Sequence, residues 1–168
     1  MFGKLLGRRR RIREAGDQWH RWILARARDP DPYQAGLVPD TLDGRFHMVT
    51  LVTTLVLRRL RTFDEDGNAI ADAAYRAVFS GFDHALREEG VGDASIARRM
   101  RKLGEEFFGL ARRIDASFTA DEPEMKLEAA LVQNGISSAS NAPKLVGWLL
   151  STEARLGKEF DPATLLPC

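Results

Sequence analysis

The chain of 168 residues has the length of one ordinary domain, and 44% hydrophobic residues suffice for a single core. Six of its 25 basic residues and none of its 24 acidic residues lie within residues 1–13, so the rest of the chain is acidic. This acidic remainder argues against a DNA partner. The single cysteine, Cys168, excludes an internal disulfide and a cysteine-based metal site, and it fits a reducing compartment.

The basic residues near the N-terminus form a segment that we expect to be flexible over residues 1–14. Gly3 and Gly7 interrupt its apolar residues and make it a poor helix on its own. It has no apolar stretch long enough for a secretory signal, so no cleavage is expected. Its charges favour peripheral contact with an anionic membrane, with ribosomal RNA or a purely solubilising role as the alternatives. The charged residues are Lys4, Arg8, Arg9, Arg10, Arg11 and Arg13.

A first helix is predicted from Asp17, which can cap it, to about Arg28, because apolar residues recur there at helical spacing. The two Asp-Pro dipeptides of residues 29–32 end this helix, since proline cannot continue it. Residues 33–40 contain a glycine and a proline and are expected to connect the first helix to the second.

The second helix is expected to begin at Asp40 or Thr41 and to run to about Thr62. Its centre, HMVTLVTTLVL, is rich in β-branched residues, which also suit a buried strand. The run is too long for an ordinary strand and no partner strand is visible, so a helix is favoured. The apolar stretch from Phe46 to Leu57 is too short for the roughly 20 residues that cross a bilayer, which predicts a soluble or peripheral protein.

A turn at residues 64–68 precedes a third helix, predicted from about Ala69 to Arg87. The fourth helix has the clearest pattern, because its apolar residues recur every three or four positions, as on a helix face that packs against a core. That stripe consists of Ile96, Met100, Leu103, Phe107, Leu110, Ile114 and Phe118.

Two further helices are predicted toward the C-terminus. Asp121 and Pro123 favour a capped start for the fifth, which is expected to end near residues 134–135. Asn141 and Pro143 repeat this pattern for the sixth, which is expected to end at Gly157.

The predicted elements together indicate an all-α fold, because no segment reads persuasively as a strand. We expect a single-domain bundle of about six helices over residues 15–158. Residues 1–14 would precede it as the basic segment, and residues 159–168 would follow it as a C-terminal tail.

The stretch between the third and fourth helices, LREEGVGDASIARRMRK, combines two glycines with a dense cluster of charge. The glycines are expected to end the third helix, and Asp93 or Ser95 to cap the fourth, whose first turns then carry basic residues that the helix dipole disfavours. One interpretation is that Glu88 and Glu89 pair with these arginines across the turn. Exposed ion pairs contribute only about 0–1 kcal/mol, so a surface that binds a client or partner protein is the preferred interpretation. Its residues are Arg87, Glu88, Glu89, Gly90, Val91, Gly92, Asp93, Arg99, Arg101 and Lys102.

The sequence contains no grouping of residues that supports catalysis, a metal site or a cofactor site. The three histidines lie in three different predicted helices, without the His-x3-His or Glu-x-x-His spacing of metal sites. Neither a nucleophile with an adjacent base nor a glycine-rich phosphate loop with its lysine is recognisable. A protein without enzymatic activity is therefore expected, with a small haem carrier or enzyme that uses His47 or His20 as a ligand as the alternative.

Four segments together resemble the ubiquinol–cytochrome c chaperone family, whose members are assembly factors of the cytochrome bc1 complex. The segments are DTLDGRF, LRRLR, ALREEGVGD and RMRK, which begin at residues 40, 57, 85 and 99. The resemblance covers roughly residues 15–135, and the segment with the two glycines is its most specific part. Around the glycine of the fourth helix the family carries a tyrosine and an arginine. This chain has Phe107-Phe108-Gly109-Leu110 there, so a polar role does not carry over.

The resemblance implies a helical, non-enzymatic protein that binds newly made cytochrome b and protects it until the complex is assembled. Mitochondrial members also work with a small partner protein at the ribosome exit, so the ribosome and a small partner subunit are further possible partners. Mitochondrial members carry a long targeting extension, whereas this chain begins close to its first predicted helix and is similar to bacterial relatives. The expected location is the cytoplasmic face of the bacterial inner membrane.

Overall fold

The computed structural model describes the backbone of residues 2–88, 90 and 92–167, and the side chains of these residues from Leu6 onward. The described residues form six helices of 11 or more residues, one short helix and a two-stranded hairpin, which confirms the predicted all-α bundle. The helices are α1 (Phe2–Ala27), α2 (Asp31–Gln34), α3 (Leu42–Leu60), α4 (Glu65–Glu88), α5 (Asp93–Phe118), α6 (Pro123–Gln133) and α7 (Ala142–Lys158). The strands are β1 (Phe160–Asp161) and β2 (Leu166–Pro167), which pair antiparallel.

Helix α3 is the centre of the core, and every residue from Met48 to Leu57 is buried. Two of its threonines satisfy their hydroxyls inside the helix: Thr50 donates to the carbonyl of Phe46 at 2.9 Å, and Thr54 donates to that of Thr50 at 2.8 Å. Burial on all sides lets core packing outweigh the small helix penalty of β-branched residues, which confirms the helix over the strand. In the described part of the chain, no helix is both long and apolar enough to cross a membrane.

Helix α1 begins at Phe2, so the predicted start at Asp17 is wrong. Its N-terminal half continues along α4, where Ala15 and Gly16 are buried between the two helices. A Cβ atom on Gly16 would lie 2.6 Å from the Cβ of Ala73, so the close approach of the helices requires glycine. This packing stabilises a helix that its own glycines would leave weak in isolation.

The helix starts show where local spacing identifies a cap and where it does not. Thr41 caps α3 as predicted, because its hydroxyl accepts a hydrogen bond from the amide three residues later at 3.1 Å. Helix α6 follows Glu122 rather than Asp121, without a side-chain cap. Asn141 precedes α7 but does not cap it; its amide donates instead to the carbonyl of Gly36 at 2.9 Å. The side chain of Asn141, which the local pattern assigns to a cap, therefore makes a tertiary hydrogen bond instead.

Helices α4 and α5 form a hairpin. Helix α4 begins at Glu65, earlier than the predicted Ala69, because it takes in the polar residues that were expected to form a turn. The predicted stripe of α5 faces the core only in part. Ile96, Phe107, Leu110 and Ile114 are buried, whereas Met100, Leu103 and Phe118 are partly buried.

The C-terminal hairpin packs on α1 and was not foreseen, because two-residue strands leave no alternating pattern in a sequence. Trp19 of α1 is fully buried, stacks on Phe160 with ring centroids 5.7 Å apart, and donates from its indole nitrogen to the carbonyl of Leu165 at 2.8 Å. Leu165 itself has a φ of 59°, which places it in the left-handed region that a tight turn uses. The residues expected to form a tail therefore contribute to the core around Trp19.

Candidate functional site

The charged corner, defined as residues 86–102, joins the end of α4 to the start of α5. Arg87 connects its two sides: Nε donates to Asp83 at 2.7 Å within α4, and a terminal guanidinium nitrogen donates to Asp93 at 2.7 Å at the start of α5. Hydrogen bonds to Asp83 and then to Asp93 are the main reasons why the pKa of Arg87 is raised. All three side chains are exposed, so these bonds orient the turn but contribute little to stability.

The two glutamates of the charged corner were expected either to bind a partner or to pair with its arginines. In the described residues Glu88 lies 3.3 Å from Nε2 of His84, one turn earlier, and pairs with no arginine. Glu89 and Val91 lie outside the described residues. Gly90 has a φ of 76°, the left-handed conformation expected just after a helix end.

The start of α5 differs from its prediction by less than one helical turn. Gly92 precedes the helix and neither Asp93 nor Ser95 caps it. Asp93 lies in the first turn, where a negative charge suits the helix dipole. The basic residues therefore begin in the second turn. Because the dipole effect fades beyond the first turn, the helix dipole destabilises them less than the sequence suggested.

The basic residues of α5 provide the positive charge of the corner. Arg98, Arg99 and Arg101 are exposed, and none of them lies within ion-pair distance of a carboxylate among the described residues. Lys102 lies 3.6 Å from Glu106, one turn later on the same helix. The three arginines are thus available to an acidic partner surface.

An aromatic band lies along the same hairpin and consists of Tyr75, Phe79 and Phe82 of α4 with Phe107 and Phe108 of α5. Neighbouring rings in it have centroids 4.5–5.5 Å apart. Phe107 forms the floor with 1% exposure, the three rings of α4 are partly buried, and Phe108 is 50% exposed. Contiguous apolar surface that reaches solvent in this way is typical of an interaction site.

The two histidines considered as haem ligands are partly buried on different helices. Burial lowers the pKa of His20 on α1 and of His47 on α3, which favours their neutral forms. His20 packs against α4 at Gly81, where a Cβ atom would lie 3.6 Å from its Nε2. The described residues contain no group of three or more His, Cys, Asp or Glu side chains placed to hold a metal ion.

The basic residues of the first half of α1, within residues 1–13, fall into two groups. Arg8 donates to Asp66 of α4 at 2.8 Å, and Arg10 donates to Glu14 at 2.7 Å on its own helix. The pKa values of both arginines are raised, first by these hydrogen bonds. The side chain of Lys4 lies outside the described residues. The remaining members, Arg9, Arg11 and Arg13, are exposed.

A family model described as ubiquinol-cytochrome C chaperone matches residues 34–165, which is most of the chain. The chain belongs to the ubiquinol–cytochrome c chaperone family. The match confirms the resemblance seen in the sequence. It includes the α4–α5 hairpin with its charged corner and aromatic band, whereas α1 lies before it.

A crystal structure of the Cbp3 homolog from Brucella abortus is similar to this family member, with a TM-score of 0.78 and 31% sequence identity. The likeness covers 97% of this chain and 92% of that chain, so it includes α1 as well as the family-matched region. A search of curated proteins found no match.

Sequence reasoning identified the charged corner of this family member but missed the aromatic band. Phe107 was assigned to the core correctly, whereas its neighbour Phe108 was noted only as part of a departure from the family pattern. A signal was present: Tyr75, Phe79 and Phe82 follow helical spacing and form a second apolar stripe on α4 beside the buried one. Only the structure shows that α5 meets this second stripe with an exposed ring.

Proposed function

We propose that this chain is an assembly chaperone of the cytochrome bc1 complex that binds newly made cytochrome b and holds it until the complex is built. Membership of the ubiquinol–cytochrome c chaperone family supports this role. The proposed activity is binding without catalysis. Its place is the cytoplasmic face of the inner membrane, where an integral membrane client is inserted.

The observation that carries the proposal is the aromatic band with its exposed ring. A membrane-protein client offers apolar helices that lack their lipid and their partner helices. Phe108, at 50% exposure, and the partly buried Tyr75 give such a helix an apolar contact without first unfolding the chaperone. Phe107 beneath them keeps the rings in place because it is part of the core.

The charged corner extends this surface toward the tip of the hairpin. Arg101 and Phe108 are seven residues apart on α5, which is two helical turns, so they fall on one face of the helix roughly 10–11 Å apart along its axis. A client that lies on the aromatic band can therefore also reach Arg101. Because charged groups at the edge of an interface contribute to specificity, we assign the corner to selection of the client, or of a small partner subunit or the ribosome.

The aromatic part of the surface is tested by Phe108→Ser, with Met125→Ser on α6 as the matched control, since Met125 is 51% exposed. Both variants should fold, because each residue is already half in water. We expect Phe108→Ser to lose co-purification of newly made cytochrome b and to lower the amount of assembled bc1 complex, while Met125→Ser leaves both unchanged. Normal assembly with Phe108→Ser would contradict the proposal.

The corner is tested by reversing Glu88 and Glu89 to lysine, with the same reversal of Glu124 and Glu153, on α6 and α7, as the control. Surface changes of this kind usually alter stability by about 0.5 kcal/mol, so the melting temperature should move by only a few degrees. Assembly of the bc1 complex should fall with the corner variant alone. A large loss of stability without a separate binding defect would mean that the corner serves the fold only.

A further inference from the structure

One face of α1 carries an exposed leucine beside a row of arginines. Leu6, Arg9, Arg10 and Arg13 follow helical spacing and line one shallow crevice of about 330 Å³. Leu6 is 63% exposed, which is high for a large apolar residue. This face therefore combines apolar and positive surface at the N-terminal end of the molecule.

A second crevice, of about 580 Å³, continues this face across to α4 and shares Arg9 and Arg13 with the first. Its floor is apolar and is formed by Ile12 of α1 and three alanines of α4. Arg76 of α4 adds a third guanidinium to its rim. Asp17 also lines it, and so does one aspartate of α4, so positive charge exceeds negative charge by one.

Of the four arginines that line the two crevices, only Arg10 is held in an ion pair among the described residues, with Glu14 of its own helix. Among the described residues, Arg9, Arg13 and Arg76 have no carboxylate within ion-pair distance, whereas Arg8 is held by the acidic start of α4. The bonds of Arg8 and the close contact at Gly16 fix α1 against α4. The arginines of α1 and Arg76 of α4 consequently lie beside one another on two helices that are fixed in place before any ligand arrives.

We propose that the basic face, defined as Leu6, Arg9, Arg10, Arg13 and Arg76, docks this protein on an anionic lipid bilayer. Guanidinium groups bind lipid phosphates while the exposed Leu6 enters the headgroup boundary, which is how interfacial helices bind. RNA would bind the same charges, but an exposed leucine adds nothing to that binding. Among the residues that line the two described crevices there is also no aromatic ring on which a base can stack. The bilayer is therefore the occupant that the whole face fits.

Flotation of the full-length protein with vesicles tests this proposal. The vesicles are phosphatidylcholine alone or phosphatidylcholine mixed with phosphatidylglycerol, at low and high salt. The triple variant Arg9→Ser, Arg13→Ser, Arg76→Ser is compared with Arg98→Ser, Arg99→Ser, Arg101→Ser, which removes the same charge from the charged corner. Circular dichroism establishes that both variants are folded.

We expect the wild type and the corner variant to float with the anionic vesicles at low salt and not with the neutral ones. At about one kcal/mol for each arginine near such a surface, the face variant should partition roughly a hundredfold less. Equal flotation of the face variant and the wild type would overturn the proposal, as would wild-type flotation that ignores lipid charge. A third outcome would assign the face to RNA instead: the wild type sediments with ribosomes, the face variant does not, and the wild type fails to float with vesicles. Because cytochrome b binding is measured separately, failure here leaves the client role untouched.

Discussion

Thr53 illustrates how one buried side chain can reduce the stability of the core. Its neighbours Thr50 and Thr54 donate their hydroxyls to carbonyls of α3, but among the described residues Thr53 Oγ1 is buried without a hydrogen-bond partner. A buried hydroxyl without a partner costs about 1–3 kcal/mol by mutational measurements. Sequence alone cannot distinguish these threonines, because their hydrogen bonds depend on the rotamers that core packing selects.

Replacement of Thr53 by valine removes the unpaired hydroxyl and keeps the shape of the side chain. We expect Thr53→Val to raise the free energy of unfolding by about 1 kcal/mol, as measured by urea denaturation. Thr54→Val is the control, because it deletes a hydroxyl that is already satisfied, and it should be close to neutral or destabilising. A loss of stability in Thr53→Val would show that its hydroxyl has a partner in solution.

Phe107 and Phe108 are adjacent in sequence but differ in burial, with exposures of 1% and 50%. Phe107→Ala should cost about 3–5 kcal/mol in unfolding free energy, since it opens a cavity in the core. Phe108→Ala should cost less than about 1.5 kcal/mol, because half of the ring is already hydrated. Similar losses in the two variants, measured by urea denaturation, would mean that Phe108 is part of the core and not available to a client.

At the scale of the helices, periodicity located α5, whose apolar residues recur along one face. The length of the apolar run located α3, which is buried on all sides and has no single apolar face. Periodicity failed at α1, where residues 2–14 look unsuited to a helix. Their helical state depends on α4, through Gly16 and through Arg8 with Asp66, and a contact between segments far apart in sequence leaves no local pattern.

The contact between α1 and α4 is tested by two glycine variants of one helix. Gly16→Ala would place a methyl group 2.6 Å from Ala73 Cβ and 2.8 Å from its backbone carbon, so the helices must separate and about 1–3 kcal/mol should be lost. Gly7→Ala meets no atom within 4 Å and should stabilise the protein by about 0.5–1 kcal/mol through helix propensity. Thermal denaturation of both variants measures these changes. A tolerated Gly16→Ala would contradict the close packing of α1 on α4.

At the scale of the whole molecule, α4 belongs to both proposed surfaces. Tyr75 faces the aromatic band and Arg76 the basic face, and adjacent helical residues point about 100° apart. A protein docked on a bilayer through the basic face would therefore present the client surface beside that bilayer. The sequence indicated the basic N-terminal segment and the charged corner separately. The angle between the basic face and the aromatic band depends on how α4 packs and could not be predicted from the sequence.

Binding of cytochrome b through the hairpin is tested most directly by site-specific photocrosslinking in cells that make cytochrome b. A photoreactive residue is placed at Phe108 in the aromatic band, at Arg101 in the charged corner, or at Glu153, an exposed residue of α7 that serves as the control. We expect newly made cytochrome b to crosslink at Phe108 and Arg101 and not at Glu153. Absence of cytochrome b at both hairpin positions, or equal crosslinking at Glu153, would contradict binding through this hairpin.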